Sequence, residues 1–193
     1  MSKKLLIDYF EKHLPLNDEE KFAIEEVFKE RRIKRRQSIL QEGEICNQNA
    51  FIVEGCFRMY LIDKKGKEHN LQFAVENWWI GDIGSFHSEQ PSKLCIEAME
   101  NSIILQFKKA DQIGLYVNFP KFNQIFRVLA ENAIVSLQNR ILQNISSTAE
   151  ERYLDFVERY PNFFHRISNV QIASYLGVTP EFLSAIRKKI VES

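Results

Sequence analysis

The chain has 193 residues, of which 45% are hydrophobic, enough for one mid-sized domain or two small ones with a real core. Its 26 basic residues balance 26 acidic ones, so the overall charge does not itself favour nucleic acid, although a local positive surface suffices for phosphate contacts. No apolar run is long enough to span a membrane, and Asp8 interrupts the apolar stretch that a signal peptide would need. We therefore expect a cytoplasmic protein without a membrane partner.

Two helices are predicted before any strand. Leu5 to Phe10 has helical spacing, and a second helix over Asn17 to Lys29 opens with Asn17 as its cap and Glu20 three residues later. This pair of side chains can satisfy two free backbone N–H groups at the start of the second helix.

Between Ser38 and Phe107 the apolar residues no longer have helical spacing. Short segments rich in Ile, Val, Phe and Leu alternate there with glycines. This pattern is typical of an all-β unit. Segments 57–62 and 68–75 predict a hairpin with its turn at Gly66, and segments 94–98 and 103–107 predict two more strands. Together they indicate a small barrel or roll.

Three cysteines, Cys46, Cys56 and Cys95, are widely spaced and form no CxxC pair. Their odd number and spacing argue against a disulfide framework and a thiolate zinc site. We predict reduced structural thiols and no metal site.

One long helix is predicted from Asn118 to about Ile145, because the segment has no internal glycine and Pro120 lies near its start. One stripe of the helix is expected to pack on the β unit: Phe122, Phe126, Leu129, Ala133 and Leu137. A second stripe has the alternating three- and four-residue steps of a heptad seam: Ile125, Val128, Asn132, Val135, Asn139 and Leu142.

The seam predicts a parallel two-stranded coiled coil, and hence a homodimer. Asn132 and Asn139 fall at successive a positions, where buried asparagines specify two strands at some cost in stability. The alternative is a helix buried on both sides of a monomer, which would leave two buried amides unpaired.

A further helix is predicted from Thr148, which has Glu151 three residues later, to Tyr160 before Pro161. We place a domain boundary near residue 146. The expected units are 1–117 with the N-terminal helices and the β-roll, 118–146 as the dimerisation helix, and 147–193 as a C-terminal domain. The last unit is small and should need its neighbour for stability.

Segment 168–187 has the signals of a helix-turn-helix. Gly177 falls where the first helix must end in a left-handed residue, Thr179 is a good N-cap, and Pro180 takes the first position of the second helix. A shared core is predicted from Ile172, Leu176, Val178, Leu183 and Ile186. The motif indicates DNA binding, with a helical hairpin in a packed core as the alternative.

The second helix of this motif should present one face to the DNA groove. With Leu183, Ile186 and Ile190 turned inward, the face toward the bases consists of Glu181, Ser184, Ala185 and Lys188. The full set of candidate DNA-binding residues is Ser168, Asn169, Thr179, Glu181, Phe182, Ser184, Ala185, Arg187, Lys188 and Lys189. Glu181 could accept from cytosine N4, whereas Pro180 and Ala185 cannot donate to guanine.

The order of these elements resembles the Crp/Fnr superfamily of bacterial transcription regulators over almost the whole chain. The likeness is carried by two glycine-marked turns at 40–44 and 50–58, by the start of a phosphate-binding cassette at 80–84, and by the helix-turn-helix at 167–190. It implies an α+β fold with a cyclic-nucleotide-binding-like β-roll (jelly roll), a long dimerisation helix and a C-terminal winged-helix/helix-turn-helix domain. It also implies a homodimer on double-stranded DNA, with RNA polymerase as a further partner.

The likeness fails at the effector site, whose candidate residues are Gly81, Asp82, Ile83, Ser92 and Lys93. Members that bind cyclic AMP use a glutamate for the ribose hydroxyl and an arginine for the cyclic phosphate. Here Asp82 replaces the glutamate, and Pro91 to Leu94 contains no guanidinium to hold a phosphate through two nitrogens. We therefore expect no cyclic AMP. The iron–sulfur sensors of the family need a cluster of cysteines, and the three cysteines of this chain are widely spaced, so we expect no iron–sulfur cofactor. The effector is therefore unknown.

The sequence thus predicts a DNA-binding transcription regulator, not an enzyme, in which the β-roll controls the helix-turn-helix. The alternative is a regulatory module that binds a cyclic nucleotide or another small ligand without DNA, but this leaves 168–189 unexplained. An enzyme has less support, because there is no Walker loop, nucleophile elbow, zinc-protease motif or paired carboxylate motif.

Overall fold

The computed structural model describes residues 2–161 and 163–192, except for the side chains of residues 164, 191 and 192. Met1, Ser193 and Asn162 of the predicted connector lie outside the described residues. The strands are β1 (Lys29–Ile33), β2 (Ser38–Leu40), β3 (Gln48–Glu54), β4 (Phe57–Ile62), β5 (Glu68–Ala74), β6 (Trp79–Ile80), β7 (Leu94–Ala98) and β8 (Ser102–Lys108). The helices are α1 (Ser2–Glu11), α2 (Asp18–Val27), α3 (Ile83–Ser88), α4 (Lys109–Asn118), α5 (Pro120–Ser146), α6 (Ala149–Arg159), α7 (Asn169–Leu176) and α8 (Pro180–Glu192).

The strands form a β-roll of two antiparallel sheets, ordered β1-β8-β3-β6 and β2-β7-β4-β5. Apolar side chains from both sheets share the main core, where Phe51, Phe57 and Leu105 are fully buried. The predicted hairpin is confirmed, since β4 pairs with β5 across a turn in which Gly66 has φ 78°. The roll itself is therefore as the sequence predicted.

Helices α1 and α2 cover one end of the roll. The predicted capping box is present, with Asn17 Oδ1 accepting from Glu20 N and Glu20 Oε2 accepting from Asn17 N, both at 2.8 Å. Glu20 is 6% exposed and also pairs with Lys121 Nζ at 2.7 Å, which ties α2 to the start of α5.

Two helices are absent from the sequence prediction. Helix α3 lies inside the region assigned to strands, and α4 precedes the long helix; they begin after Asp82 and Lys108 respectively. Each contains a glycine, Gly84 or Gly114, which lowers helix propensity and weakens the periodic signal. Both therefore depend on packing against the roll more than on local preference.

Helix α5 buries apolar side chains against the roll near its start. Phe122 and Ile125 are fully buried there, and Phe126 packs against the same core. The predicted packing stripe is wrong in its second half, since Ala133 is exposed and Leu137 is 59% exposed. The helix is longer than the roll surface beneath it, so no described residue covers these two side chains.

Helices α6, α7 and α8 form a C-terminal head around a second core, and the predicted helix-turn-helix is confirmed. Cys56 and Phe73 of the roll belong to this second core, so the head packs directly on the roll. Within the described residues no strand follows β8, so a wing is not among them. None of the described helices is long and apolar enough to cross a membrane.

Candidate DNA-binding surface, head docking and effector cassette

The turn between α7 and α8 has the predicted local geometry. Gly177 adopts φ 71° and ψ 31°, a left-handed conformation that lets Val178 N donate to Ala173 O at 3.0 Å. Thr179 Oγ1 accepts from Phe182 N at 3.2 Å and so caps α8. Ala173 is fully buried at the crossing of the two helices.

Helix α8 presents the predicted outward face. Leu183 and Ile186 are buried in the head, and the opposite face is exposed along Glu181, Ser184, Ala185 and Lys188. Phe182 is 53% exposed beside that face. These positions are accessible for contact with bases, and the contacts themselves remain a prediction.

The cationic flank of the head makes contacts within the chain. Arg187 Nη1 donates to Asn169 Oδ1 at 2.7 Å, and Lys189 Nζ pairs with Glu150 Oε2 at 2.6 Å. The Lys189 pair is exposed and therefore weak, so a DNA phosphate can replace it. Sequence reasoning placed both cations near phosphates but missed these partners, which come from other helices.

Arg166 fastens the head to the roll. Its Nη1 and Nη2 donate to Glu76 at 3.1 and 2.9 Å, and its Nε donates to Glu100 Oε1 at 3.2 Å. Glu76 also accepts from Gly55 N at 2.8 Å. The connector before α7 is thus bound to two turns of the roll, and Glu76 joins a third turn at Gly55. The pKa of Arg166 is raised overall: burial lowers it, but the two carboxylates outweigh burial.

Helix α7 docks on β5 through polar contacts. Asn70 N donates to Ser174 Oγ at 3.1 Å, Ser174 Oγ donates to Glu68 O at 3.1 Å, and Asn70 Nδ2 donates to Gln171 O at 3.0 Å. Arg140 of α5 reaches the same junction, donating to Asn70 O at 3.3 Å. The first helix of the motif is therefore held by both the roll and the long helix.

The effector cassette is closed by its own hydrogen bonds. Asp82 Oδ2 accepts from Ser92 Oγ at 2.6 Å, while Asp82 Oδ1 accepts from Ser85 N at 3.2 Å. Both carboxylate oxygens are occupied within the chain, and Ser92 is 3% exposed. The structure thus brings together two of the five candidate effector residues.

The other three cassette candidates do not join this pair. Ile83 is 54% exposed and Lys93 is exposed, whereas Ser92 of the closed pair is buried. Gly81 has a packing role, since a side chain there would meet Asn49 Oδ1 at 2.6 Å. Asp82 is held by a hydroxyl and a backbone N–H, and neither of these is a cation that could hold a phosphate.

A buried arginine does occur nearby, but on the other face of the sheet. Arg58 alternates along β4 with the core residue Met59, and it pairs with Glu97 at 2.7 Å and with Glu68. Its guanidinium lies 4.0 Å from the centroid of the Tyr60 ring. Arg58 is thus neutralised outside the roll interior and is not a substitute for the missing cassette arginine.

The predicted dimer seam needs a correction at its first position. Ile125 is fully buried in the core of its own chain and cannot lie on a seam with a second copy. Val128 is half-buried, whereas Asn132, Val135, Asn139 and Leu142 are exposed. A stripe of exposed aliphatic side chains on α5 consists of Ile134, Leu137, Ile141 and Ile145, which are 49–78% exposed. We call these four residues the α5 stripe.

Candidate metal ligands do not gather among the described residues. No group of three or more His, Cys, Asp or Glu side chains is arranged to hold a metal ion there. Cys46, Cys56 and Cys95 are buried free thiols. Burial is the main cause that raises the pKa of Cys56 to about 12, which keeps this thiol protonated within the head–roll interface.

Comparison with known proteins gives consistent matches. The cyclic nucleotide-binding domain family matches residues 30–117. Electron transport regulator A of Shewanella oneidensis is 24% identical over 192 residues, covering 92% of this chain and 75% of that protein. The anaerobic regulatory protein of Aggregatibacter actinomycetemcomitans is 24% identical over 183 residues, covering 89% of this chain and 70% of that protein.

Solved structures share the arrangement of roll, long helix and head. FixK2 from Bradyrhizobium japonicum superposes with a TM-score of 0.73 at 18% identity, covering 86% of this chain and 85% of that one. A structure from Eubacterium rectale described as a Crp/Fnr-family transcriptional regulator gives a TM-score of 0.72 at 17% identity, covering 96% of this chain and 88% of that one. At such identities the likeness establishes the fold.

Proposed function

We propose that this chain, a Crp/Fnr-type protein in its fold and its cyclic nucleotide-binding domain, is a transcription regulator that binds double-stranded DNA through α8. The observation that carries the proposal is the outward face of α8. Glu181, Ser184, Ala185 and Lys188 are exposed together, while the opposite face of the helix anchors it in the head. A helix fixed on one side and polar on the other is what major-groove reading requires.

The roll controls the head through their shared interface. Arg166, Ser174 and Gln171 of the head are bound to turns and strands of the roll. A ligand that favoured one docked orientation over another would shift the population of heads competent for DNA. This is a regulatory role and requires no chemical step by the chain.

A homodimer through the α5 stripe is part of the proposal, and of the predicted seam only Ile125 is excluded by its burial. Four aliphatic side chains exposed on one helix face are costly in water, and the same face of a second copy would bury them. Leu142 and Val135 flank the stripe and would extend the contact. Two heads would then be presented to two half-sites of DNA.

Cyclic AMP is not the effector in this proposal. The Asp82 carboxylate is hydrogen-bonded to Ser92. Lys93 is exposed, and its ammonium cannot hold a phosphate through two nitrogens as a guanidinium does. The effector is therefore a different ligand, or the head is controlled without one. An iron–sulfur cluster is likewise not proposed.

One further partner and a location belong to the same proposal. DNA binding implies a cytoplasmic location, and RNA polymerase is a partner by resemblance to the family alone.

Selection of bound sequences from random double-stranded DNA tests the function. The wild-type protein should enrich one motif with two half-sites, and a Glu181→Ala/Lys188→Ala double variant should lose the enrichment. Lys64→Ala, in the exposed β4–β5 turn, is the matched control and should enrich the wild-type motif. If the folded wild-type protein enriches no sequence, the regulator proposal is wrong and the small-ligand module is favoured.

A further inference from the structure

A small cleft lies where α5, α6 and α7 meet, on the route from the long helix into the head. Residues of all three helices line it, among them Arg140, Gln143, Arg152, Asp155, Tyr160 and Tyr175. Its volume is about 10 Å³, the room of one water molecule, and one side opens to solvent. One oxygen of a ligand could enter it while the rest of the ligand stays at the mouth.

The cleft has a positive balance of charge. Arg140 comes from α5 and Arg152 from α6, so two cationic residues from different helices line the cleft. Asp155 also lines the cleft, but it is paired with Arg159 at 3.7 Å. Burial raises the pKa of the Tyr160 phenol, and Tyr175 beside it raises it further, so this hydroxyl stays protonated at neutral pH.

One guanidinium in the cleft is not fully satisfied. Arg152 Nη1 donates to Ser147 O at 2.7 Å, but Arg152 Nε is buried and has no hydrogen-bond partner among the described residues. A buried charged donor without a partner is costly and needs an explanation. Guanidinium groups are the side chains best matched to oxyanions, because their N–H groups form a planar fork.

We propose that this cleft binds a phosphate-type oxyanion between Arg140 and Arg152, supplied by a small phosphorylated ligand or by the DNA backbone. One anion oxygen takes the recess beside Arg152, and the other oxygens lie toward Arg140 and the solvent. The recess has room for one oxygen of the anion, so the rest of the phosphoryl group stays at the mouth of the cleft.

The position of Arg140 gives the site a regulatory consequence. Its Nη2 donates to Asn70 O at 3.3 Å and to Tyr175 O at 3.5 Å, and its guanidinium carbon lies 4.1 Å from the centroid of the Tyr175 ring. One side chain therefore joins α5, the roll and α7. An anion shared with Arg152 adds α6 to this junction and favours the docked head. This consequence rests on the proposed function, whereas anion binding does not.

Calorimetric titration of the full chain with inorganic phosphate tests the site without DNA, at constant ionic strength maintained with chloride. We expect one saturable site per chain. Arg152→Gln should weaken phosphate binding at least tenfold, and Arg152→Lys should do nearly the same, because it keeps the charge but removes Nε. The matched control is Arg127→Gln on the exposed surface of α5, which should bind as the wild type does.

Each outcome decides the proposal. Saturation without DNA that is weakened in Arg152→Gln but not in Arg127→Gln supports the site with a small phosphorylated ligand as the source, whereas saturation that Arg152→Gln leaves unchanged overturns the proposal. If phosphate alone does not saturate, but Arg152→Gln lowers DNA affinity and reduces the salt slope by about one unit while Arg127→Gln does not, the DNA backbone is the source. No phosphate binding together with unchanged DNA binding, or an equal loss in the Arg127 variant, overturns the proposal. If neither the wild type nor the variants bind DNA, but phosphate still saturates the wild-type site, the regulator function is wrong and the anion site stands.

Discussion

Arg166 and Glu76 are 90 residues apart in the chain and are joined by two nitrogen–oxygen contacts of 2.9 and 3.1 Å. Arg166 lies just before α7, and Glu76 lies just after β5. This pair therefore links the orientation of the helix-turn-helix to the roll at its point of entry into the head.

Replacing Arg166 by glutamine should loosen the head without unfolding the roll. The substitution leaves Glu76 and Glu100 without their common partner at an interface where Arg166 is 23% exposed. Loss of such charged hydrogen bonds costs on the order of 2 kcal/mol, so hydrogen exchange of α7 amides should rise by about thirtyfold. Arg127→Gln serves as the control. Unchanged exchange in α7 would show that the apolar core alone holds the head.

Head docking should also weaken in acid. Burial raises the pKa of Glu76, but hydrogen bonds from Arg166 and Gly55 outweigh burial and hold it below the ordinary 4.5. Because the pKa is lower in the docked state, the pair stabilises docking above pH 4.5 and loses that contribution as the pH falls through the lowered pKa. Exchange of α7 amides, corrected for the intrinsic pH effect, should rise over that window in the wild type. Glu76→Gln should remove this pH dependence of α7 exchange. If the variant keeps the full pH dependence, a group other than Glu76 causes it.

The α5 stripe should govern assembly. Ile141→Lys in combination with Ile145→Lys places four like charges across a two-fold axis and should convert the dimer to a monomer, as sedimentation equilibrium would show. Asn132→Lys with Asn139→Lys, at two positions of the originally predicted seam, is the matched comparison and should leave the dimer intact. If instead the Asn132/Asn139 variant is monomeric and the Ile141/Ile145 variant is dimeric, the seam predicted from the sequence is the dimer contact. A monomeric wild type would refute both dimer contacts.

Cyclic AMP should give little thermal stabilisation. A ligand at one hundred times its dissociation constant stabilises the native state by about 2.7 kcal/mol, which differential scanning calorimetry resolves easily. We expect no such stabilisation at micromolar cyclic AMP, because the Asp82 carboxylate already accepts a hydrogen bond from the Ser92 hydroxyl. Ser92→Ala tests whether this hydrogen bond is the obstacle. A clear shift in the wild type would mean that Asp82 and Lys93 suffice for the nucleotide.

Two substitutions on the head should separate base reading from phosphate binding. Glu181→Ala should relax the preference at one base pair per half-site by about 1–3 kcal/mol, while Lys189→Ala should weaken all sequences alike and reduce the salt slope by about one unit. Glu150→Gln should tighten DNA binding, since it releases Lys189 from its ion pair. Competition binding at several salt concentrations measures all three. If none of these changes alters affinity or specificity, α8 is not the recognition helix.

Local signals in the sequence were sufficient for most secondary structure and for the DNA-binding motif. The caps at Asn17 and Thr148 and the left-handed turn at Gly177 are all present. Each depends on residues no more than five positions apart, and such interactions are encoded directly in the spacing of residue types. The outward face of α8 follows equally from helical periodicity.

The tertiary structure decided which helix faces were free and which charges met. Ile125 fits a heptad by its spacing, but it is buried because the roll lies against that turn of α5. Asp82 and Ser92 were predicted to lie in one site, but only the fold shows that they bond to each other and close it. The Arg166–Glu76 pair and the cleft between Arg140 and Arg152 join segments far apart in sequence. No periodic or capping signal encodes such contacts, because they depend on how the roll, the long helix and the head pack together.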